Sequence, residues 1–306
     1  MTNHIDIVEV GPRDGLQNEA TMFSTEQKLQ LIDHLVAAGL HRIEAVSFAH
    51  PKHVPQMADA EAVMAGVPRI EGVSYIGLVM NERGWNRAVA AKVDEVNMPV
   101  FTTDTFNIKN QGVSTRESLI ALSDIASEGS TEGLPVSATI SAAWGCPFEG
   151  EVAVSRVVEI AERLADMGVP EIALADTIGV ADPWAVAERI SAVKKVTGDI
   201  PLRVHFHDTR NTGMANVHAA IDSGVTIIDS SVGGIGGCPF APSATGNIAT
   251  DDLVFMLNRG GFTHGVSLDA LIGVSHELEE ALGKRIPAML PKAGNFPQHR
   301  QKGETS

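Results

Sequence analysis

The sequence predicts an α/β protein, a TIM (β/α)8 barrel with a C-terminal helical extension, and three observations support this fold. Eight short β-rich runs recur at fairly even spacing, helix-like segments lie between most of them, and glycines stand where those helices would end. Alternating strand and helix units form a parallel sheet, and eight of them close it into a barrel. An open, doubly wound sheet is the alternative, but no Gly-x-Gly-x-x-Gly turn follows the first strand.

The predicted strands are short apolar runs bounded by turn-forming residues. They are residues 5–10, 42–47, 73–79, 95–101, 136–141, 171–176, 202–207 and 226–232. Between them, segments 25–38, 152–167, 183–196 and 214–223 carry apolar residues at three- and four-residue intervals, the period of a helix. Gly39, Gly168 and Gly224 follow three of these segments as helix stops, and a strand comes soon after each.

No Pro/Ser-rich linker or low-complexity segment divides the chain, so we expect one barrel domain over residues 1–306. Residues 265–306 are assigned to that domain as a C-terminal helix and tail. The helix is predicted over residues 267–282. The tail from Pro291 onward is polar, and we expect it to be frayed.

Composition excludes several classes of partner. The net charge is −15 and no cluster of Lys and Arg precedes the tail, so nucleic acid is not an expected partner. No apolar run is long enough to span a membrane, and no basic apolar leader begins the chain, so we expect a cytoplasmic protein without a membrane partner. Cys146 and Cys238 are the only cysteines, and we interpret both as reduced thiols.

In a barrel of this kind, reacting groups lie where strands end and the following loops begin. Arg13 and Asp14 follow the first strand within Gly-Pro-Arg-Asp-Gly, a sequence that is also typical of an ordinary turn. His205 and His207 alternate along the seventh strand, so their side chains project from one face and can share a metal ion. A pair of hydrogen-bonded core histidines is the alternative.

After the eighth strand, a glycine-rich segment runs from Gly233 to Asn247 and contains Cys238. Its few apolar side chains indicate a loop at the rim, either a simple linker or a mobile lid that carries a reactive thiol. Asp14, His205, His207 and Asn247 together offer one carboxylate, two imidazoles and one amide oxygen. Such a mixed set suits Mg²⁺ or Mn²⁺ as the cofactor, with zinc as the alternative.

These features together resemble the 3-hydroxy-3-methylglutaryl-CoA lyase family, the metal-dependent TIM-barrel lyases with the Asp-Arg-Glu signature. The resemblance covers nearly the whole chain. It rests on Val-Glu-Val-Gly-Pro-Arg-Asp-Gly-Leu-Gln-Asn-Glu at 8–19, Ile-Glu-Ala-Val-Ser-Phe at 43–48, Val-Pro-Gln-Met at 54–57, Gly-Cys-Pro-Phe-Glu-Gly at 145–150, Asp-Thr-Ile-Gly-Val at 176–180, His-Phe-His at 205–207, Gly-Gly-Cys-Pro at 236–239 and Thr-Gly-Asn at 245–247.

The resemblance implies a retro-Claisen cleavage of a 3-hydroxyacyl-CoA thioester, with 3-hydroxy-3-methylglutaryl-CoA giving acetyl-CoA and acetoacetate. It implies that Asp14, His205, His207 and Asn247 ligate the metal. It also implies catalytic roles for Arg13 and Cys238, a supporting carboxylate at Glu44 and an active-site position at Asp176. The base that deprotonates the substrate hydroxyl is His205 or Asp14, and the sequence leaves the choice open.

Three positions depart from the family pattern. Thr139 stands where these lyases have a tyrosine, His53 replaces an aromatic residue, and residues 100–110 form a different loop. Because these segments line the family's pocket, citramalyl-CoA or a longer branched analogue is an alternative substrate. A noncatalytic CoA-binding barrel is a further alternative. The assembly that we expect is a homodimer.

Overall fold

The computed structural model describes residues 3–237 and 246–296. Its centre is a closed barrel of eight parallel strands, in which each strand pairs with its sequence neighbours and the last pairs with the first. The strands are β1 (Asp6–Glu9), β2 (Arg42–Ser47), β3 (Ser74–Leu78), β4 (Glu95–Phe101), β5 (Val136–Ser141), β6 (Ile172–Asp176), β7 (Leu202–Phe206) and β8 (Ile227–Ser230). The predicted fold class is confirmed, and every barrel strand lies inside its predicted segment. A short antiparallel pair, Gly145–Cys146 with Gly150–Glu151, lies outside the barrel and was not predicted.

Helices surround the barrel. They are α1 (Thr25–Ala37), α2 (Ala60–Gly66), α3 (Glu82–Ala90), α4 (Asp104–Gln111), α5 (Thr115–Glu132), α6 (Val154–Asp166), α7 (Pro183–Thr197), α8 (Gly213–Asp222), α9 (Thr250–Gly260), α10 (Leu268–Leu282) and α11 (Leu290–Ala293). Capping boxes at Ser24 and Ser114 start α1 and α5, because each serine accepts from a backbone N–H that the helix leaves unpaired. None of the described helices combines the length and apolar character needed to cross a bilayer.

The amino-terminal end of the barrel is filled by ion pairs. Arg42 in β2 contacts Glu95 at 2.7 Å, Glu171 at 2.9 Å and Asp6 at 3.2 Å. Arg203 in β7, only 1% exposed, lies 3.1 Å from the same Glu171. Buried charges persist only when they are paired, so this network closes one end of the barrel. The opposite end, where the strands finish, remains open to solvent.

Glu9 joins three segments at that open end. It is fully buried, and its carboxylate accepts hydrogen bonds from the backbone N–H of Gly11 at 2.7 Å and of Val232 at 2.9 Å, and from the Thr250 hydroxyl at 2.7 Å. A side chain at position 11 would force Glu9 to move, because an added Cβ would lie 2.6 Å from its carboxylate oxygen. Burial raises the pKa of Glu9 to about 7, although the three hydrogen bonds act to lower it. Glu9 therefore links the loops after β1 and β8 to the start of α9 by hydrogen bonds.

The C-terminal extension contains the predicted helix as α10, which packs against α1 and α9 in the outer layer. The expectation that the tail is frayed from Pro291 is wrong at its beginning, because α11 continues the fold there. Asp252 accepts hydrogen bonds from the backbone N–H groups of Met289 and Leu290 at 3.0 to 3.1 Å, which fixes the start of this short helix. The remainder of the predicted tail, 297–306, lies outside the described residues.

Candidate active site

A cavity of about 510 Å³ lies at the open end of the barrel, where the strands finish. A second groove, between α2 and α3 on the outside of the barrel, is lined by Arg87 and Glu61, which form an ion pair with each other. The cavity contains side chains from all eight strands or from the loops after them. These include Arg13, Asp14, Ser47, Leu78, Asn97, Thr139, Ala175, His205 and Asp229.

Asp14, His205 and His207 form a cluster in this cavity, with one ligand atom from each lying within 4.8 Å of the others. Asp14 lies on a tight turn, Gly11–Gly15, whose N–H groups at Arg13, Asp14 and Gly15 all point back to the carbonyl of Val10. His205 is in β7 and His207 follows directly after it, and their ring centroids are 5.1 Å apart. The structure thus brings three of the four predicted metal ligands together.

Asn247 joins the cluster because its chain segment is wedged between the ends of two strands. The backbone N–H of Ile248 donates to the carbonyl of Phe206 at 3.1 Å, and the carbonyl of Ile248 accepts from Ser231 at 3.0 Å. Asn247 therefore pairs with His207 as an isolated bridge. Its Nδ2 donates to Asp14 at 2.8 Å and its Oδ1 is buried with no hydrogen-bond partner in the described structure.

These side chains fit a divalent cation. Buried polar atoms are normally satisfied, yet the Oδ1 of Asn247 and the Nδ1 of His207 both lack a partner among the described residues. Burial alone raises the pKa of Asp14, but Arg13 and the two histidines outweigh it and lower that pKa to about 2. Burial, reinforced by His205, lowers the pKa of His207 to about 4. A carboxylate and a neutral imidazole are the protonation states that bind metal.

Asp229 is a site residue that the sequence analysis missed. It pairs in register with His205 across β8 and β7, and its Oδ2 lies 3.2 Å from the Nδ1 of His205. Burial alone lowers the pKa of His205, but the hydrogen bond and charge of Asp229 outweigh it and raise that pKa. The Nη1 of Arg203 lies 3.4 Å from the Oδ1 of Asp229 and forms an ion pair with it. The Nδ1 of His205 is therefore engaged, which leaves its Nε2 for the cluster.

Arg13 is held between two carboxylates. Its Nη1 donates to Asp14 at 2.7 Å, its Nε donates to Glu44 at 2.7 Å, and its Nη2 also contacts the same Glu44 oxygen. Because a guanidinium is planar and carries five N–H donors, these contacts fix its plane and leave donors free. Glu44, 1% exposed in β2, thus lies where a supporting carboxylate was predicted.

Asp176 at the end of β6 is turned toward its own loop. Its two oxygens accept hydrogen bonds from the backbone N–H groups of Val180 and Ala181, each at 2.9 Å. The adjoining cavity wall is formed by Ala175 and Thr177. Contacts of Asp176 therefore shape the loop after β6, and its expected active-site role stays a prediction.

Cys238 lies outside the described residues, so its predicted role stays a prediction as well. Gly237, its neighbour, lines the cavity, and the carbonyl of Gly237 accepts a hydrogen bond from Asn18 at 2.8 Å. The three positions that depart from the family pattern all border the same cavity: Thr139, His53 and residues of α4.

Comparison with known proteins agrees with this architecture. Residues 4–277 match the HMGL-like family. The mitochondrial hydroxymethylglutaryl-CoA lyase of Gallus gallus is 41% identical, over 94% of this chain and 97% of its own. The (R)-citramalyl-CoA lyase of Chloroflexus aurantiacus is 42% identical, over 96% of each chain.

A solved structure gives the same result. The HMG-CoA lyase from Acinetobacter baumannii, in complex with coenzyme A and 3-methylmalate, superposes with a TM-score of 0.93 at 38% identity and 98% coverage of both chains. Matches of this identity and extent mean that the chain is a member of the HMGL-like family.

Proposed function

We propose that this chain is a carbon–carbon lyase that performs metal-dependent retro-Claisen cleavage of a 3-hydroxyacyl-CoA, with 3-hydroxy-3-methylglutaryl-CoA as its substrate. The observation that carries the proposal is the convergence of Asp14, His205 and His207 with the Oδ1 of Asn247, which has no hydrogen-bond partner among the described residues, beside the guanidinium of Arg13. The family membership and the named activities of the relatives support it.

We propose Mg²⁺ or Mn²⁺ as the cofactor, held by Asp14, His205, His207 and Asn247. Oxygen and imidazole donors without a thiolate suit these ions better than they suit a structural zinc. Bound there, a divalent ion would act as a Lewis acid that lowers the pKa of the substrate's tertiary hydroxyl.

The reaction requires a proton to leave that hydroxyl while the adjacent carbon–carbon bond breaks. The bonding electrons move into the thioester as an enolate, and a proton then returns to the enolate carbon to give acetyl-CoA and acetoacetate. We propose that Asp14 or His205 accepts the first proton. Asp14 accepts one hydrogen bond on each oxygen, from Arg13 and Asn247, and His205 has its Nδ1 engaged by Asp229. Arg13 donates to the thioester oxygen as it gains negative charge. We propose that Cys238, in the chain segment after β8, supplies the final proton.

The coenzyme A part of the substrate is anionic and the chain carries a net charge of −15, so a local feature must attract it. Lys109, on α4, borders the cavity together with Asn110 and Gln111. We propose that the coenzyme A part of the substrate lies along this side of the cavity opening.

The test is a mass-spectrometric product assay on 3-hydroxy-3-methylglutaryl-CoA with Mn²⁺, with and without chelator. We expect acetyl-CoA and acetoacetate in equal amounts, and no products with chelator. Release of free coenzyme A without acetoacetate would point to thioester hydrolysis and reject the proposal. An unchanged substrate in the presence of metal would reject it too.

Citramalyl-CoA is the second candidate substrate, favoured by the 42% identity to the (R)-citramalyl-CoA lyase and by the presence of Thr139 in the cavity. Its acyl group is shorter by one methylene, and the same bond cleavage would give acetyl-CoA and pyruvate. One methylene is worth about 10- to 200-fold in kcat/KM at an apolar pocket. Competition between the two thioesters in one reaction, read out as acetoacetate against pyruvate, decides between them.

We further propose that the chain forms a homodimer in the cytoplasm, which light scattering on the purified protein and cell fractionation would test. A mass equal to one chain at working concentration would reject the dimer.

A further inference from the structure

A row of hydrogen-bonded side chains crosses the cavity from β5 to the loop after β1. The hydroxyl of Thr139 donates to the Oδ1 of Asn97 at 2.9 Å, and the Nδ2 of Asn97 donates to the Oε1 of Glu44 at 3.3 Å. The other oxygen of Glu44 accepts from Arg13. Thr139, Asn97 and Glu44 are each at most 9% exposed, and Thr139 and Asn97 border the cavity.

The carboxylate of Glu44 sets the direction of this row. An amide can present either its oxygen or its NH2 group to a neighbour, and only the NH2 group is favourable toward that carboxylate. The amide oxygen of Asn97 then points to Thr139, whose hydroxyl donates to it and stabilises this orientation. Ser137 also approaches the amide oxygen, but at 3.5 Å, and its hydroxyl donates at 3.2 Å to the carbonyl of Val96.

Glu44 depends on Asn97 for one of its two oxygens. Oε2 receives the contacts from Arg13, whereas Oε1 accepts a hydrogen bond from Asn97. A buried carboxylate oxygen without a donor is unfavourable, so loss of Asn97 would let Glu44 turn toward other donors. The guanidinium of Arg13 would then lose the partner that fixes its plane on the side away from Asp14.

We propose that Asn97, oriented by Thr139, is a positioning residue that holds Glu44 and, through it, the guanidinium of Arg13. The inference rests on the proposed lyase function, in which Arg13 binds the thioester oxygen. It assigns a specific role to Thr139, a position at which the chain departs from the family pattern. Thr139 then helps to orient the catalytic arginine, in addition to any effect on the shape of the cavity.

The main variant is Thr139→Val, which keeps the branched shape and removes only the hydroxyl. We expect kcat to fall about tenfold with KM within about twofold, because tenfold in rate corresponds to about 1.4 kcal/mol, near the net value of one hydrogen bond. Thr139→Ser restores the donor and should recover most of the loss. Ser137→Ala is the matched control, since the Ser137 hydroxyl donates mainly to Val96 and lies 3.5 Å from the amide oxygen of Asn97, and it should keep the wild-type rate.

Wild-type kcat in Thr139→Val would overturn the proposal, and so would a rise in KM alone, which would indicate a direct contact with substrate. Asn97→Ala should lower kcat at least as much, and the Asn97→Ala, Thr139→Val double variant should be no slower than Asn97→Ala alone. Losses that multiply in the double variant would mean that the two residues act independently.

A second measurement does not depend on activity. Urea unfolding of Asn97→Ala, Glu44→Gln and their double variant forms a thermodynamic cycle for the Asn97–Glu44 contact. We expect the double variant to lose less stability than the sum of the single variants, and strict additivity would overturn the contact. If the wild-type protein cleaves neither thioester, the proposed function fails, while this cycle still decides whether Asn97 holds Glu44.

Discussion

Replacement of Asp229 by asparagine should weaken binding of the metal without changing any proposed ligand. The carboxylate of Asp229 serves two partners, with Oδ2 at 3.2 Å from the Nδ1 of His205 and Oδ1 at 3.4 Å from the Nη1 of Arg203. Both partners are donors when the imidazole carries its proton on Nδ1. An asparagine side chain offers only one acceptor oxygen, so Asp229→Asn can satisfy one of them and must place its NH2 group against the other.

The expected size of the effect follows from this arrangement. The pair is buried, with side-chain exposures of 12% for His205 and 7% for Asp229, so water cannot easily replace the lost contact. Partners that orient a metal-bound histidine are typically worth about 10- to 100-fold in metal affinity. The corresponding change in binding free energy is about 1.4 to 2.7 kcal/mol. Asp229→Ala removes both contacts and should be at the upper end of that range.

Calorimetric titration of the metal-free protein with Mn²⁺ would measure the dissociation constant. The matched control is Asp222→Asn on α8, which changes a His–Asp pair of the same type, His218 Nδ1 to Asp222 Oδ2 at 3.4 Å, that is about 70% exposed. We expect the control to bind Mn²⁺ like the wild type. An unchanged affinity in Asp229→Asn, with thermal unfolding showing an intact fold, would refute the orienting role. An equal loss of Mn²⁺ affinity in Asp222→Asn would show that the effect does not depend on burial of the His–Asp pair.

Three further predictions concern single residues. His207→Ala should lose its metal on dialysis, because its imidazole is part of the ligand cluster; one equivalent of metal retained in elemental analysis would reject that ligand. Cys238→Ser should lower kcat by about 100-fold while the metal stays bound, on the usual scale for a proton donor, and near-normal turnover would exclude the thiol. Glu9→Gln concerns stability: burial raises the pKa of Glu9 from 4.5 to about 7, so the folded state retains a proton that the unfolded chain loses in this interval. That contribution, roughly 3 kcal/mol at about 1.4 kcal/mol per pKa unit, is complete below pH 4.5 and is lost as the pH rises to 7. Urea unfolding across this range should show a smaller decline in Glu9→Gln than in the wild type, and equal slopes would contradict the shift.

Several features of the site could be predicted because they are local. His205 and His207 are two residues apart in a strand, and the period of a strand puts both on one face whatever surrounds them. Arg13 and Asp14 come shortly after the first strand. In a TIM barrel the loops after the strands form the active site, so both residues were expected there. Glycine stops and apolar periodicity located the strands well, since both depend on near neighbours along the chain.

The contacts that position these residues come from distant parts of the chain. Asn247 meets Asp14 across 233 residues of sequence, because its segment pairs with the ends of β7 and β8. The register between those strands places Asp229 opposite His205. Asn97 reaches Glu44 across the barrel interior, although nothing in the β4 sequence indicates a partner there. The helical start of the tail likewise depends on Asp252, which is 37 and 38 residues earlier.

The barrel, its strand positions and the candidate catalytic residues could be inferred from sequence, because strand periodicity, glycine stops and strand-end positions are properties of short segments. The folded arrangement was needed to show which nitrogen of His205 is engaged, which amide orientation Asn97 adopts and which carboxylates hold Arg13. Those choices depend on the stagger and closure of the barrel, which bring side chains from separate strands within hydrogen-bonding distance.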